Sequence, residues 1–330
     1  MKKWFLVVLF VFIVLPVFAF SEEQKNIFEE AVKEFSSSDP YTKISAIEKF
    51  IVSKDIRAVQ YLKKALKDKN TFVRQRALDA LGALRAKEVV SDITEVLLKD
   101  TDPSVKQAAV GALGVIGSLE ALPILHQVLK DTTTPVFVRY AICEKLKIFR
   151  SPTSVPVLKD LLTETDVKLR RSVVMALNSI DSPEILPILR NLLKEEKDED
   201  FICDILLYLT NRQDKESLPK VKPYLTSPSE KIKIYAAVFA AKVAQDSESL
   251  SILKKNLEHS NPVIKSLIVD AIGFVGDKNI LETLKSLFEK ESDFYIKEMI
   301  KISISRIENR LPKETAPTGQ KNTKPPVKKN

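Results

Sequence analysis

One phrase recurs along this chain at a nearly constant interval. "NTFVRQRALDALGALR" begins at Asn70, "DPSVKQAAVGALGVIG" at Asp102 and "NPVIKSLIVDAIGFVG" at Asn261. An apolar residue anchors each copy: Val73, Val105, Val138, Leu169, Phe201, Ile232, Ile264 and Ile296, with gaps of 31 to 33 residues. A degenerate first copy starts near Thr42. Four residues after the anchors stand Ala46, Ala77, Ala109, Ile142, Val173, Ile205, Ala236, Ile268 and Ile300. Eight after stand Phe50, Leu81, Leu113, Leu146, Leu177, Leu209, Ala240, Ile272 and Ile304. All are apolar, and the spacing places them on one face of a helix. A fixed period of this size is the mark of a repeat array.

A second helix pattern precedes each anchor, as in "ALPILHQVLKD", "SVPVLKDLLTE" and "ILPILRNLLKE". Pro123, Pro156, Pro187 and Pro219 stand near its start, where the first turn has an N–H to spare. Asn70, Asp102 and Asn261 suit the N-cap or turn before the anchored helix. Each unit is therefore expected to be a helical hairpin with one apolar face left over, which only the next hairpin can cover. Scarce glycine and long Leu, Ala, Lys and Glu runs agree with an all-α chain. About nine stacked pairs make an α-solenoid, a superhelix whose stability is a sum of neighbour contacts.

The run L-P-x-L-x-x-L-L-x-D followed by D-P-x-V-R-x-x-A-x-x-A-L-G resembles HEAT repeats, in particular the short HEAT-like variety of phycobilin lyases. The resemblance spans roughly 22 to 310 and is strongest at Phe72–Leu84, Pro103–Gly117 and Pro262–Gly276. It implies the solenoid fold, with the second helices turned to the concave side. It does not imply one function, because the scaffold hosts many.

The two ends read differently. Residues 1–19 carry Lys2 and Lys3, an apolar run from Trp4 to Ala19 interrupted by Pro16, and Val17 and Ala19 at a small-residue cleavage site. This is the pattern of a secretory signal peptide cut before Phe20, too short to favour a membrane anchor. The expectation is an exported protein, periplasmic or secreted, with a repeat array over 20–311. Residues 312–330 hold four prolines and five lysines, and are expected to be a disordered basic tail in weak contact with anionic lipid or envelope polymer. Of the formal net charge of +8, the leader and tail supply all but about two units, so no basic stripe for nucleic acid is expected on the body.

No constellation for chemistry stands out. His126 and His259 are the only histidines, and the His-Glu pairs of related iron hydroxylases are missing. Both read as surface residues. Gly111, Gly114 and Gly117 lie within or at the end of a helix rather than in a phosphate loop. Cys143 and Cys203 fall two repeats apart; with packed helices ~8–10 Å apart, they are beyond the ~7 Å a disulfide bridges and read as separate buried thiols. No catalytic residue, cofactor or metal site is assigned. A basic residue follows most anchors (Arg74, Lys106, Arg139, Arg170, Lys233, Lys265, Lys297). The row is either an anion-binding ladder or, as the resemblance implies, a set of pairs with Asp68, Asp100 and Asp131 of the preceding turns.

The outward places on the second helices should lie two and six after each anchor. Early repeats hold Gln75, Asp79, Gln107 and Gly111 there; middle ones hold Tyr140, Met175, Leu207, Ile234 and Val238. Those five are either an exposed apolar patch for a protein or peptide partner or local core in irregular repeats. The leading expectation is a non-enzymatic scaffold binding its partner on the concave surface. The alternative is a lyase-like enzyme accessory holding a small molecule or pigment.

Overall fold

The computed structural model describes residues 22–311; the signal peptide and basic tail expected from the sequence lie outside them. Among the described residues eighteen α-helices alternate as nine pairs, in two units meeting at Ser182 and Pro183. The first unit holds the pairs α1 (Glu22–Phe35) and α2 (Pro40–Ser53), α3 (Ala58–Ala65) and α4 (Thr71–Ala83), α5 (Val90–Lys99) and α6 (Pro103–Ile116), α7 (Leu122–Lys130) and α8 (Val136–Phe149), α9 (Val155–Asp160) and α10 (Val167–Ser179). The second holds α11 (Ile185–Glu195) and α12 (Glu199–Asn211), α13 (Leu218–Val221) and α14 (Glu230–Phe239), α15 (Ser249–Lys255) and α16 (Pro262–Val275), α17 (Lys278–Lys290) and α18 (Phe294–Arg310). Each unit is an all-α solenoid of stacked hairpins. Within each, second helices pack on second helices while first helices barely touch, which makes the second-helix row the tighter, inner side.

The repeated apolar positions are where the stacking happens. Every residue four after an anchor is fully buried, and so is every residue eight after except Ile304, which is half-buried on the last described helix. Burying one such Leu, Ile or Phe side chain is worth about 1.5–3 kcal/mol. Phe28, Phe35 and Phe50 of the first hairpin and Tyr61 of the second form a cluster with ring centroids 5.4–6.1 Å apart.

Two side chains before each second helix set where it begins. Three residues ahead of the anchor, Asp39, Asn70, Asp102, Asp166, Asp198, Ser229, Asn261 and Asp293 accept hydrogen bonds from the first free N–H groups. Two residues earlier a second acceptor takes the cap residue's own N–H: Ser37, Asp68, Asp100, Glu196, Ser227, His259 and Glu291. The fourth hairpin departs, since Pro135 at the cap position has neither N–H nor acceptor side chain, and Asp131 bonds Thr133 instead.

In four hairpins the basic residue after the anchor ties one hairpin to the next. Its carboxylate partner is in the following turn, not the preceding one as expected. Arg74 pairs with Asp100 through Nε at 2.8 Å and a second guanidinium nitrogen at 3.0 Å, while donating to the Asp68 carbonyl behind it. Lys43 pairs with Asp68, Arg139 with Glu164 and Lys265 with Glu291 in the same sense. Lys265 and the Asp293 N–H hold the Glu291 carboxyl below the usual carboxylate range. Where His259 replaces the acid, Lys233 turns back to Glu230 on its own helix. These contacts are structural, so the cations that make them are not free for an anion ladder.

The second unit is less regular. α13 is a single turn, and Pro223 continues it as a 3₁₀ segment, Lys222–Thr226. α14 ends in a π-turn, Ala240–Ala244, which inserts an extra residue before the left-handed Gln245. At the place of the basic residue stands Ile202, and Arg190 of α11 takes over by bonding Asp214 and Glu216 ahead of α13. α14 is buried nearly all round, so Ile234 and Val238, each 1% exposed, pack with Leu253, Leu257 and Ile268 of the next hairpin. The expectation that they line an exposed patch is corrected: they are core, covered by the apolar side chains of the next hairpin.

Two measurements follow. Asp100→Ala should lower stability by about 1.5–3 kcal/mol, the worth of hydrogen bonds to a charged group, whereas Glu95→Ala, which breaks only the exposed pair with Lys99, should leave the denaturation midpoint where it is. Equal effects would contradict the inter-hairpin role. Burial keeps the His126 imidazole below its ordinary pKa. The unfolded chain therefore takes up a proton first, and stability present above about pH 6.5 is lost as pH falls further. His126→Gln should show a smaller drop in melting temperature between pH 7.5 and 5.5 than the parent.

Candidate binding surface

Among the described residues no group of three His, Cys, Asp or Glu side chains could hold a metal ion. His126 is half-buried, with Nε2 2.8 Å from the hydroxyl of buried Ser154 in the next hairpin, so its expected place on the surface is corrected to a packing contact between hairpins. His259 uses Nδ1 to accept the Asn261 N–H at 3.0 Å, the cap role that Asp68 and Asp100 play elsewhere. Cys143 and Cys203 are free and buried, and burial pushes both thiols up to about 12, far from the thiolate a nucleophile needs.

Clefts of the first unit are bordered by charges, and in the first of them all but Lys67 have ion-pair partners. One of about 400 Å³ lies between α3 and α5, where Lys63 meets Asp92 at 2.9 Å, Lys99 meets Glu95 at 2.8 Å and Arg74 meets Asp100. Another, about 580 Å³, opens beside Glu144, Lys147, Ile148 and Arg150 at the end of α8. No described helix is long and apolar enough to cross a membrane.

What remains is the exposed side of the second-helix row. Tyr140 is half-buried and donates to both Asp166 carboxylate oxygens at 2.9 Å, so its hydroxyl is committed to the next hairpin's cap. Met175 is 39% exposed on α10. Leu207, on α12 of the second unit, is half-buried. The sequence reading missed other apolar residues on the first unit's row: Val52, Val115 and Ile148, ten after their anchors on α2, α6 and α8, are 60%, 47% and 58% exposed. The same helical arithmetic could have found them one turn beyond Glu48, Gly111 and Glu144.

The family model for HEAT repeats matches residues 28–102 and 90–178. No curated protein matches the sequence. Among solved structures, Kap121p aligns with a TM-score of 0.50 at 12% identity, over 86% of this chain and 37% of its own. The Escherichia coli protein YibA aligns at 0.48 and 18% identity, over 87% and 95%. The phycocyanin lyase complex of CpcE and CpcF from Nostoc aligns at 0.35 and 18%, over 76% and 94%. At such identities the likeness to Kap121p is one of fold. Hairpin period, capped second helices and the family match over residues 28–178 agree: the chain carries HEAT repeats.

Proposed function

We propose that this chain is an exported, non-enzymatic scaffold that binds a protein or peptide partner along the exposed side of its second helices. The observation that carries the reading is the series Val52, Val115, Ile148 and Met175, exposed on second helices of one unit. Apolar side chains left in water on one face are a feature of interaction surfaces, and repeat arrays offer long ones. Accessory work on a small molecule would call for a pocket of convergent, uncommitted polar groups, and around the α3–α5 cleft all the charges but Lys67 are paired. The near-neutral body argues against nucleic acid as partner. Export rests on the leader at residues 1–19, and the lysines of 312–330 add weak attraction to anionic lipid or polymer.

A photo-crosslinking residue at position 148 should capture a partner in the native cell envelope, and Met175→Asp should abolish capture without changing helicity. Capture that survives Met175→Asp, or a variant that unfolds, would count against the surface. Amino-terminal sequencing of the protein from the exported fraction should begin at Phe20; an intact Met1 in the cytosol would remove the export claim.

A further inference from the structure

Six glycines fall among the described residues, and five have a reason in the fold. Gly117 holds φ +71° at the end of α6, a conformation costly for other residues. A Cβ on Gly82 would stand 3.2 Å from the Ala112 backbone, one on Gly114 would run into Lys145, and one on Gly273 would stand 2.9 Å from the Ser303 hydroxyl. On Gly276 it would meet Ile307 at 2.6 Å. Gly111 is different. It sits inside α6, and a Cβ there would meet nothing within 4 Å. Glycine inside a helix is destabilising relative to alanine, so the fold would gain from any small side chain at this place.

The surroundings say what the gap is for. Gly111 lies on the exposed side of the second-helix row, one turn from exposed Gln107 and one turn from exposed Val115. The equivalent position holds Glu48 on α2, Asp79 on α4 and Glu144 on α8. Asp79 and Glu144 have only partners on their own helices, Arg76 at 3.7 Å and Lys147 at 2.9 Å. Exposed pairs of this kind hold weakly and give way to an incoming cation. The row therefore has a notch in the middle and a carboxylate on the helix to either side.

We propose that a cationic, extended segment of the partner crosses α4, α6 and α8 with its main chain seated on Gly111 and basic side chains on Asp79 and Glu144. This rests on the reading of the second-helix row as the binding surface, and names the chemistry of what binds. Packed helices are spaced about 8–10 Å, and an extended chain advances about 3.3 Å per residue, so one hairpin step takes roughly three residues. Asp79 and Glu144 are two steps apart. The segment carries Lys or Arg at two positions six apart, which an extended chain presents on one side, while the residue midway turns its side chain away and leaves its main chain over Gly111.

The probe is a fluorescent peptide, Lys-Pro-Val-Ala-Val-Pro-Lys, followed by anisotropy at low salt. It should bind the full chain below about 1 mM, at least tenfold more tightly than its double-Glu counterpart or a version with lysines three apart. Gly111→Leu should weaken binding at least tenfold while raising the melting temperature, a combination that a purely structural glycine does not produce. Asp79→Lys should also cost tenfold, and Glu88→Lys, exposed elsewhere, less than twofold. No binding, binding indifferent to lysine spacing, or binding unchanged in Gly111→Leu would overturn the proposal. If the crosslink at position 148 still captures a partner in that event, only the chemistry assigned here fails; if capture also fails, so does the surface.

Discussion

A hairpin of some thirty residues with apolar side chains on two faces cannot hide both by itself. Everything else in this molecule follows from that. The second helices carry the repeated small and branched residues, and the alanines at Ala46, Ala77 and Ala109 let neighbours approach until Phe50, Leu81 and Leu113 are fully covered. First helices carry no such rule and stay apart, which bends each unit toward its second-helix row. The binding surface is a by-product of that unequal packing.

Hydrophobic stacking is indifferent to small slips along the helix axis, and the polar groups remove that freedom. A cap residue fixes the start of nearly every second helix, the acceptor two residues earlier fixes the cap, and in several steps that same acceptor takes the cation of the previous hairpin. Asp68 and Asp100 each do both jobs. Coupling cap and ion pair through one carboxylate means that helix start and hairpin register are set together.

The apolar code was legible in the sequence because it repeats at helical spacing and because burial does not depend on distant detail. The caps at Asn70, Asp102 and Asn261 were legible too, through their preference for that position. The direction of the ion pairs was not: Arg74 stands six residues after Asp68 and twenty-six before Asp100, and only the packed geometry brings the farther one to its guanidinium. Ile234 and Val238 were ambiguous for another reason. Their burial comes from Leu253, Leu257 and Ile268 of the next hairpin, which their own helix does not reveal. His126 looked like a surface residue because its own helix says nothing of Ser154 in the next.

The forward reach of the cations gives the stack a polarity that its near-identical modules would otherwise lack. A cut between hairpins would not leave equivalent stumps. The upstream fragment would end in an arginine or lysine that can relax into water, while the downstream fragment would begin with a carboxylate still engaged by its own cap. Shortening such a chain from its tail and from its head are therefore different operations, and the repeat that tolerates becoming a terminus is decided by charge as much as by grease.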